Sequence, residues 1–235
     1  MKTETESSDA LQQKQYWAEA APDYYLQCAV FSLKGFAEYL EEDEQEIYQY
    51  FPESDDLLQF YYELQVLKYR QMVEEIDDFD QLSLAEKLSN FAYTMFDLFS
   101  EDRQFVAATF EQEILHTYYK SDFQEDVEDL FKEYIEADPR VSTSSQFVTW
   151  PLFYSFLANE YLHLVHFWID DSSENYEKTM AFTDKMTIFL QELMYSKILD
   201  KGFDLGRFLT SNGVISHRYP LISYLIPTWL FESNE

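Results

Sequence analysis

The chain has 235 residues, enough for one large or two small domains with a substantial buried core. Its 19% aromatic content, four glycines and six prolines exclude collagen-like, disordered and disulfide-scaffold classes, and argue against an all-β chain, which needs glycine at many turns. A formal net charge of -29 sets up a field that repels nucleic acid and anionic lipid.

Apolar residues recur at steps of three and four nearly throughout, so helices are expected along most of the chain. The first is read over residues 10–20 and ends at Pro22, and a second spans 23–40. Cys28 lies in its apolar run LQCAVF as the single cysteine, which fits a reducing compartment and a buried inert thiol. A short helix follows over 44–51. Ser54 then opens a long one to residue 79, with Asp55 and Asp56 in the first turn, where acids meet the positive end of the helix dipole. Leu57, Phe60, Tyr61, Leu64, Leu67 and Tyr69 form one apolar stripe in it, which reads as core.

Ser83 starts SLAE, a capping box with Glu86, and leads a helix to residue 99. Helices over 101–119 and 123–137 come next, the latter closed by Asp138-Pro139. The polar stretch VSTSSQ reads as a loop, followed by helices over 145–169 and, across DDSS, 173–199. A shorter segment over 204–209 precedes an aromatic stretch, 214–231, that docks on the body or joins a dimer surface. No run of about 18 uncharged apolar residues exists, so no membrane-spanning helix is expected. MKTETESSDA lacks the apolar segment of a secretory signal, and a cytoplasmic location follows.

From Ser32 the chain reads SLKGFAEYLEEDEQEIYQYFPESDDLL. This resembles, without a gap, the helix-turn-helix of the tetracycline-repressor (TetR) family. There a V-x-x-I-A stretch, a turn and a recognition helix ending in Y-x-x-F precede a long fourth helix. Leu33, Phe36, Ala37 and Leu40 would form the inner face of the positioning helix, and Ile47, Tyr48 and Phe51 that of the recognition helix. Three later stretches look like the effector domain of that family: LSNFAYTMFDLFSEDRQFV, FLANEYLHLVHFWIDDSSENYEKTMAFTDK and Phe203-Asp204-Leu205-Gly206.

The resemblance implies an all-α fold, with a diverged helix-turn-helix domain over 1–54 and a ligand-binding, dimerising helical bundle over 55–235. It implies a homodimer formed through 147–169 and 176–199. The positions that would face DNA are Asp43, Glu44, Tyr48, Gln49, Tyr50 and Ser54. A pocket for a small hydrophobic ligand would lie among Phe91, Phe96, Phe110 and Phe153, with Tyr154, Phe156, Phe182 and Met186. The same large side chains could instead close-pack and leave no cavity.

The sequence departs from the family at several of these points. Pro22 interrupts the family's first helix, Glu41 and Glu42 replace the usual Gly and small apolar residue of the turn, and Glu44 and Ser54 stand where Lys is frequent. Residues 1–60 hold three lysines, Lys2, Lys14 and Lys34, against fourteen acids, a local net charge of -11. Phosphate contact supplies most sequence-independent affinity and requires cations, so ordinary major-groove docking is disfavoured. The acids favour a solvated, diverged scaffold over a working DNA reader.

A rival constellation is Glu113-Ile114-Leu115-His116 with Glu160-Tyr161-Leu162-His163, two E-x-x-H pairs that in ferritin-like bundles help to hold two irons, with Glu86 and Glu133 as further carboxylates. In so acidic a chain this spacing arises readily by chance. No Gly-rich phosphate loop, G-x-S-x-G or C-x-x-C is present, and no cofactor is called for. Arg103, Lys178 and Arg207 are expected to pair with surface acids. The expectation is therefore a TetR-like regulator, not an enzyme, with a ligand-sensing C-terminal domain. The alternative is a helical interaction or lipid-like-ligand protein that binds no DNA, and a di-iron enzyme stands behind both.

Overall fold

The computed structural model describes residues 2–141 and 151–196, with side chains from residue 9 in the first stretch and residue 153 in the second. The start of the 145–169 helix, most of VSTSSQ, the end of 173–199, the 204–209 segment, Phe203 to Gly206, Arg207 and the 214–231 stretch lie outside these. The described residues form helices α1 (Lys2–Gln27), α2 (Leu33–Leu40), α3 (Glu44–Tyr50), α4 (Ser54–Glu74), α5 (Leu84–Glu101), α6 (Arg103–Phe110), α7 (Asp122–Ala137), α8 (Pro151–Asp170) and α9 (Glu177–Tyr195). No strand occurs among them, and the fold is all-α.

Pro22 does not end the first helix. It sits buried inside α1, although its missing N–H leaves the Ala18 carbonyl without a helical partner, a cost of about 3 kcal/mol. Packing outweighs that cost: Trp17, Ala18 and Ala21 are fully buried, and the small alanines bring α1 close to α4. The break comes instead after Gln27, within the expected 23–40 helix, because Ser32 caps a new helix by accepting from the Gly35 N–H at 3.2 Å. Gly35 leaves room for the Tyr24 hydroxyl, which a Cβ at this position would force to shift.

The turn between α2 and α3 is a Schellman-type closure, with the Glu42 N–H donating to the Ala37 carbonyl at 3.0 Å and Glu41 left-handed at φ 58°. Asp43 caps α3 by accepting from the Gln45 N–H at 2.9 Å. The cap of α4 is Glu53 rather than Ser54; it forms a reciprocal capping box with Asp56, and Ser54 is the first helical residue.

The expected stripe on α4 is in fact two faces. Leu57, Phe60 and Leu64 join Trp17, Phe36, Ile47 and Phe51 in a small N-terminal core. Leu58, Tyr61, Tyr62, Val66 and Tyr69 join the larger core built from α5 to α9. The helix stops at Glu74, short of residue 79, and Phe79–Gln81 forms a 3-10 turn. The Ser83 and Glu86 capping box opens α5 as the sequence indicates.

Aromatic rings fill the larger core. Tyr69 and Tyr134 share a hydroxyl contact at 2.8 Å, Tyr62 meets Thr109 at 2.6 Å, and Phe96 stacks on Trp168 with centroids 5.5 Å apart. Arg103, expected on the surface beside acids, is partly buried instead. Its guanidinium lies over the Trp168 and Tyr176 rings and donates to the Trp168 and Ile169 carbonyls at 3.3 and 2.9 Å, closing the C-terminus of α8. The expected 101–119 helix changes winding after Phe110, where Glu111–Leu115 forms a π turn.

Asp171 fastens the α8–α9 connection by accepting from both the backbone and the hydroxyl of Ser173 and of Thr179, at 2.6 to 2.9 Å. From there Thr179, Thr183 and Thr187 form a buried stripe along α9, which packs on α5, with Thr187 meeting Ser89 at 2.8 Å. At the far end Asp138 accepts from Arg140 and from the Tyr195 hydroxyl, tying α9 to the end of α7.

The left-handed Glu41 carries a testable cost. Glu41→Gly relieves a strained Cβ, and we expect it to stabilise the fold by about 0.5–1 kcal/mol. A higher urea midpoint with unchanged far-ultraviolet dichroism checks this.

Candidate functional site

Two places hold the sequence-indicated functional residues: the surface of α2 and α3, and a cleft between α8 and α9. On the first, Tyr48 and Gln49 are exposed, while Tyr50 packs edge-on against Trp17 at 5.5 Å. Asp43 and Ser54 stand at the starts of α3 and α4, and Glu44 is half-buried. Glu42 has a packing role, accepting from the indole N–H of fully buried Trp17. Lys14 folds over the Phe60 and Phe51 rings, 3.9 and 5.2 Å from their centroids. The exposed side of α3 is thus furnished with Gln45, Glu46, Tyr48 and Gln49, and no cation.

The second place is a cavity of about 220 Å³, walled by α5, α7, α8 and α9. Phe153, Phe156 and Met186 line it, as the pocket expectation has them. Phe91, Phe96 and Phe110 do not: they are fully buried and packed against Tyr69, Trp168 and Tyr62 respectively. Tyr154 is buried and donates to Glu136 at 3.2 Å, and Phe182 is exposed on α9 beside Phe167. Leu88, Ala92, Phe131, Tyr161, Phe189 and Leu193 complete much of the wall, and sequence reasoning missed them. Periodicity marks such residues only as apolar; which of them face a gap depends on how four helices diverge.

Glu160 also lines the cleft and is its single charged residue. It does not meet the other E-x-x-H pair. The π turn shifts the register on which that pairing rests: Glu113 is buried and receives Gln112 at 3.2 Å, whereas exposed His116 lies 3.4 Å from Glu111. His163 is exposed on α8, Glu86 is engaged in its capping box, and Glu133 pairs with Arg70 at 2.9 Å. Among the described residues no three His, Cys, Asp or Glu come together to hold a metal ion.

Residues 87–209 match a family model described as Tetracyclin repressor-like, C-terminal domain. The chain belongs to this family. The matched span begins in α5 and contains every wall residue of the cleft, whereas α2 and α3 lie before it. No curated protein matches the chain. No helix among the described residues of this repressor-like chain is long and apolar enough to cross a membrane.

Carboxylates between α4 and α7 give the chain a marked acid response. Burial, then repulsion from Asp122, Asp126 and Asp56, pushes Glu63 up from 4.5 to about 7, against the opposing pull of Lys14. Burial likewise raises Asp102, Glu113 and Asp126. A carboxyl whose folded value is raised contributes stability that is full below its unfolded value and is lost as pH climbs through the folded one. For Glu63 that loss falls between 4.5 and about 7. Asp171 and Asp138 are held low by their hydrogen-bond donors and act oppositely, losing stability only in stronger acid. We expect the melting temperature to rise between about pH 8 and about pH 5, and Glu63→Gln to flatten that rise, gaining on the order of 2 kcal/mol at the alkaline end. Calorimetric scans of both proteins across this range check it.

Proposed function

We propose that this chain is a regulator of tetracycline-repressor descent whose C-terminal body senses an apolar small molecule and dimerises, and whose α2–α3 element does not dock on DNA in the ordinary way. The observation that carries the reading is the cleft: a family effector domain with a gap of about 220 Å³ walled by aromatic and aliphatic side chains. For comparison, an engineered apolar cavity of about 150 Å³ takes up benzene. Ligand occupancy would act by favouring one arrangement of α8 and α9 over another.

The dimer reading rests on α8 and α9. Phe167, Phe182 and Ile188 are 41, 42 and 54% exposed there, and apolar exposure of this kind on neighbouring helices marks an association surface. Two such chains repel each other through their net charges of -29. Salt screens that repulsion, so the dimer is expected to tighten as ionic strength rises. Sedimentation analysis should find a dimer strengthened by salt and an Ile188→Glu protein that is monomeric; a wild-type monomer at all salts sinks the dimer.

Charge argues against ordinary docking on DNA. The exposed side of α3 carries Glu46 and no cation, and Asp43 and Glu44 stand at its start. Without cations no counterion release repays the approach to phosphate. Fluorescence anisotropy with duplexes from the gene's own upstream region should show no binding even at low salt. Salt-sensitive binding there would restore the repressor reading.

A further inference from the structure

The structure assigns the cleft a class of ligand: a small lipophilic cation, whose apolar body fills the aromatic cavity while its charge rests beside Glu160. This rests on the ligand-binding reading above and specifies it. Glu160 is the single charged residue in the wall, and no Lys, Arg or His lines the cavity. Its carboxylate has no hydrogen bond or ion pair among the described residues. Several other carboxylates near the larger core are engaged, among them Asp138 with Arg140, Asp171 with Ser173 and Thr179, and Glu128 with Lys120 and Ser155. Glu160 is half-buried at the cleft, with no cation in the wall set against it.

The wall around it suits the same chemistry. Phe131, Phe153, Phe156, Tyr161 and Phe189 offer π faces and edges, and a desolvated cation gains from rings within about 6 Å of its centre. Met186 adds a polarisable sulfur and a flexible surface. An anion would meet Glu160 and the net charge of -29 with no compensating cation in the wall, and a neutral ligand would leave the carboxylate partly covered and unpaired. The protein's field also raises the local concentration of cations before they enter. The volume of about 220 Å³ limits the occupant to a body of one or two rings.

The test compares two molecules of the same shape, benzyltrimethylammonium and its neutral carbon isostere neopentylbenzene, binding to the full chain followed by titration calorimetry and ligand-observed magnetic resonance. We expect the cation to bind about tenfold more tightly than the isostere at low salt, a preference that shrinks as salt is added. Glu160→Gln keeps the shape of the wall and should bring the two affinities within about threefold of each other. Glu177→Gln, an exposed change on α9 outside the wall, should leave the preference as it is. If both molecules bind equally to the wild-type chain, or the preference survives Glu160→Gln, the cation assignment is overturned while the apolar ligand reading stands. If neither binds, both fall.

Discussion

Between residues 54 and 74 one helix has to satisfy two cores at once. Leu57, Phe60 and Leu64 complete the cluster around Trp17, while Leu58, Tyr61, Tyr62, Val66 and Tyr69 enter the large aromatic core. Burying rings on both sides leaves only a narrow polar strip, and the residues on it are crowded against other elements. Glu63 meets the acids of α7, and Gln59 reaches Glu113 on the π turn. The small N-terminal element cannot assemble its core without α4, and the larger body loses a wall without it. Any movement of α4 in response to events in the body is therefore felt by α1, α2 and α3 through direct side-chain contact.

The second constraint is charge. With 45 acids and 16 lysines and arginines, most carboxylates have no cation to meet. Several are used as backbone acceptors instead: Asp43 and Glu53 at helix starts, Glu86 in its box, Asp171 at the α8–α9 connection. Such hydrogen bonds stabilise the charged form locally, where a surface ion pair would contribute little. Several of the scarce cations lie on aromatic faces. Lys14 lies on Phe60, Lys87 beside Phe79 and Tyr134, Arg103 on Trp168 and Tyr176, and Arg140 on Tyr195. Charge and aromatic content, which look like separate oddities of composition, are joined in the packing.

Helix content, the capping box at Ser83, the closure of α7 at Asp138 and the family relationship were legible in the sequence because each rests on local chemistry or on a motif. The errors share a cause. Pro22 breaks an isolated helix, but Trp17, Ala18 and Ala21 are held by α4, and a local rule yields to burial. Arg103 resembles a surface cation until α8 presents its free carbonyls. The E-x-x-H pairing assumes α-helical winding that the π turn removes. Of the eight aromatic and methionine residues expected to surround a pocket, Phe153, Phe156 and Met186 face the gap, since a sequence tells which side chains are apolar and not which ones lack a neighbour.

The threonine stripe on α9 has a further consequence. Thr179, Thr183 and Thr187 let α9 lie close to α5, but Met194 is its single fully buried apolar residue among those described. A helix anchored so lightly by the hydrophobic effect depends on hydrogen bonds, at its ends through Asp171 and Tyr195 and between them through Asp184, Thr187 and Gln191 to α5. Its amides should then exchange with solvent through partial openings that leave α5 and α7 intact, making α9 the weakest cooperative unit of the body. The wall of the cleft is in this sense hinged by composition: a guest of the proposed kind would enter by loosening one helix, and the remainder of the core would have no need to yield.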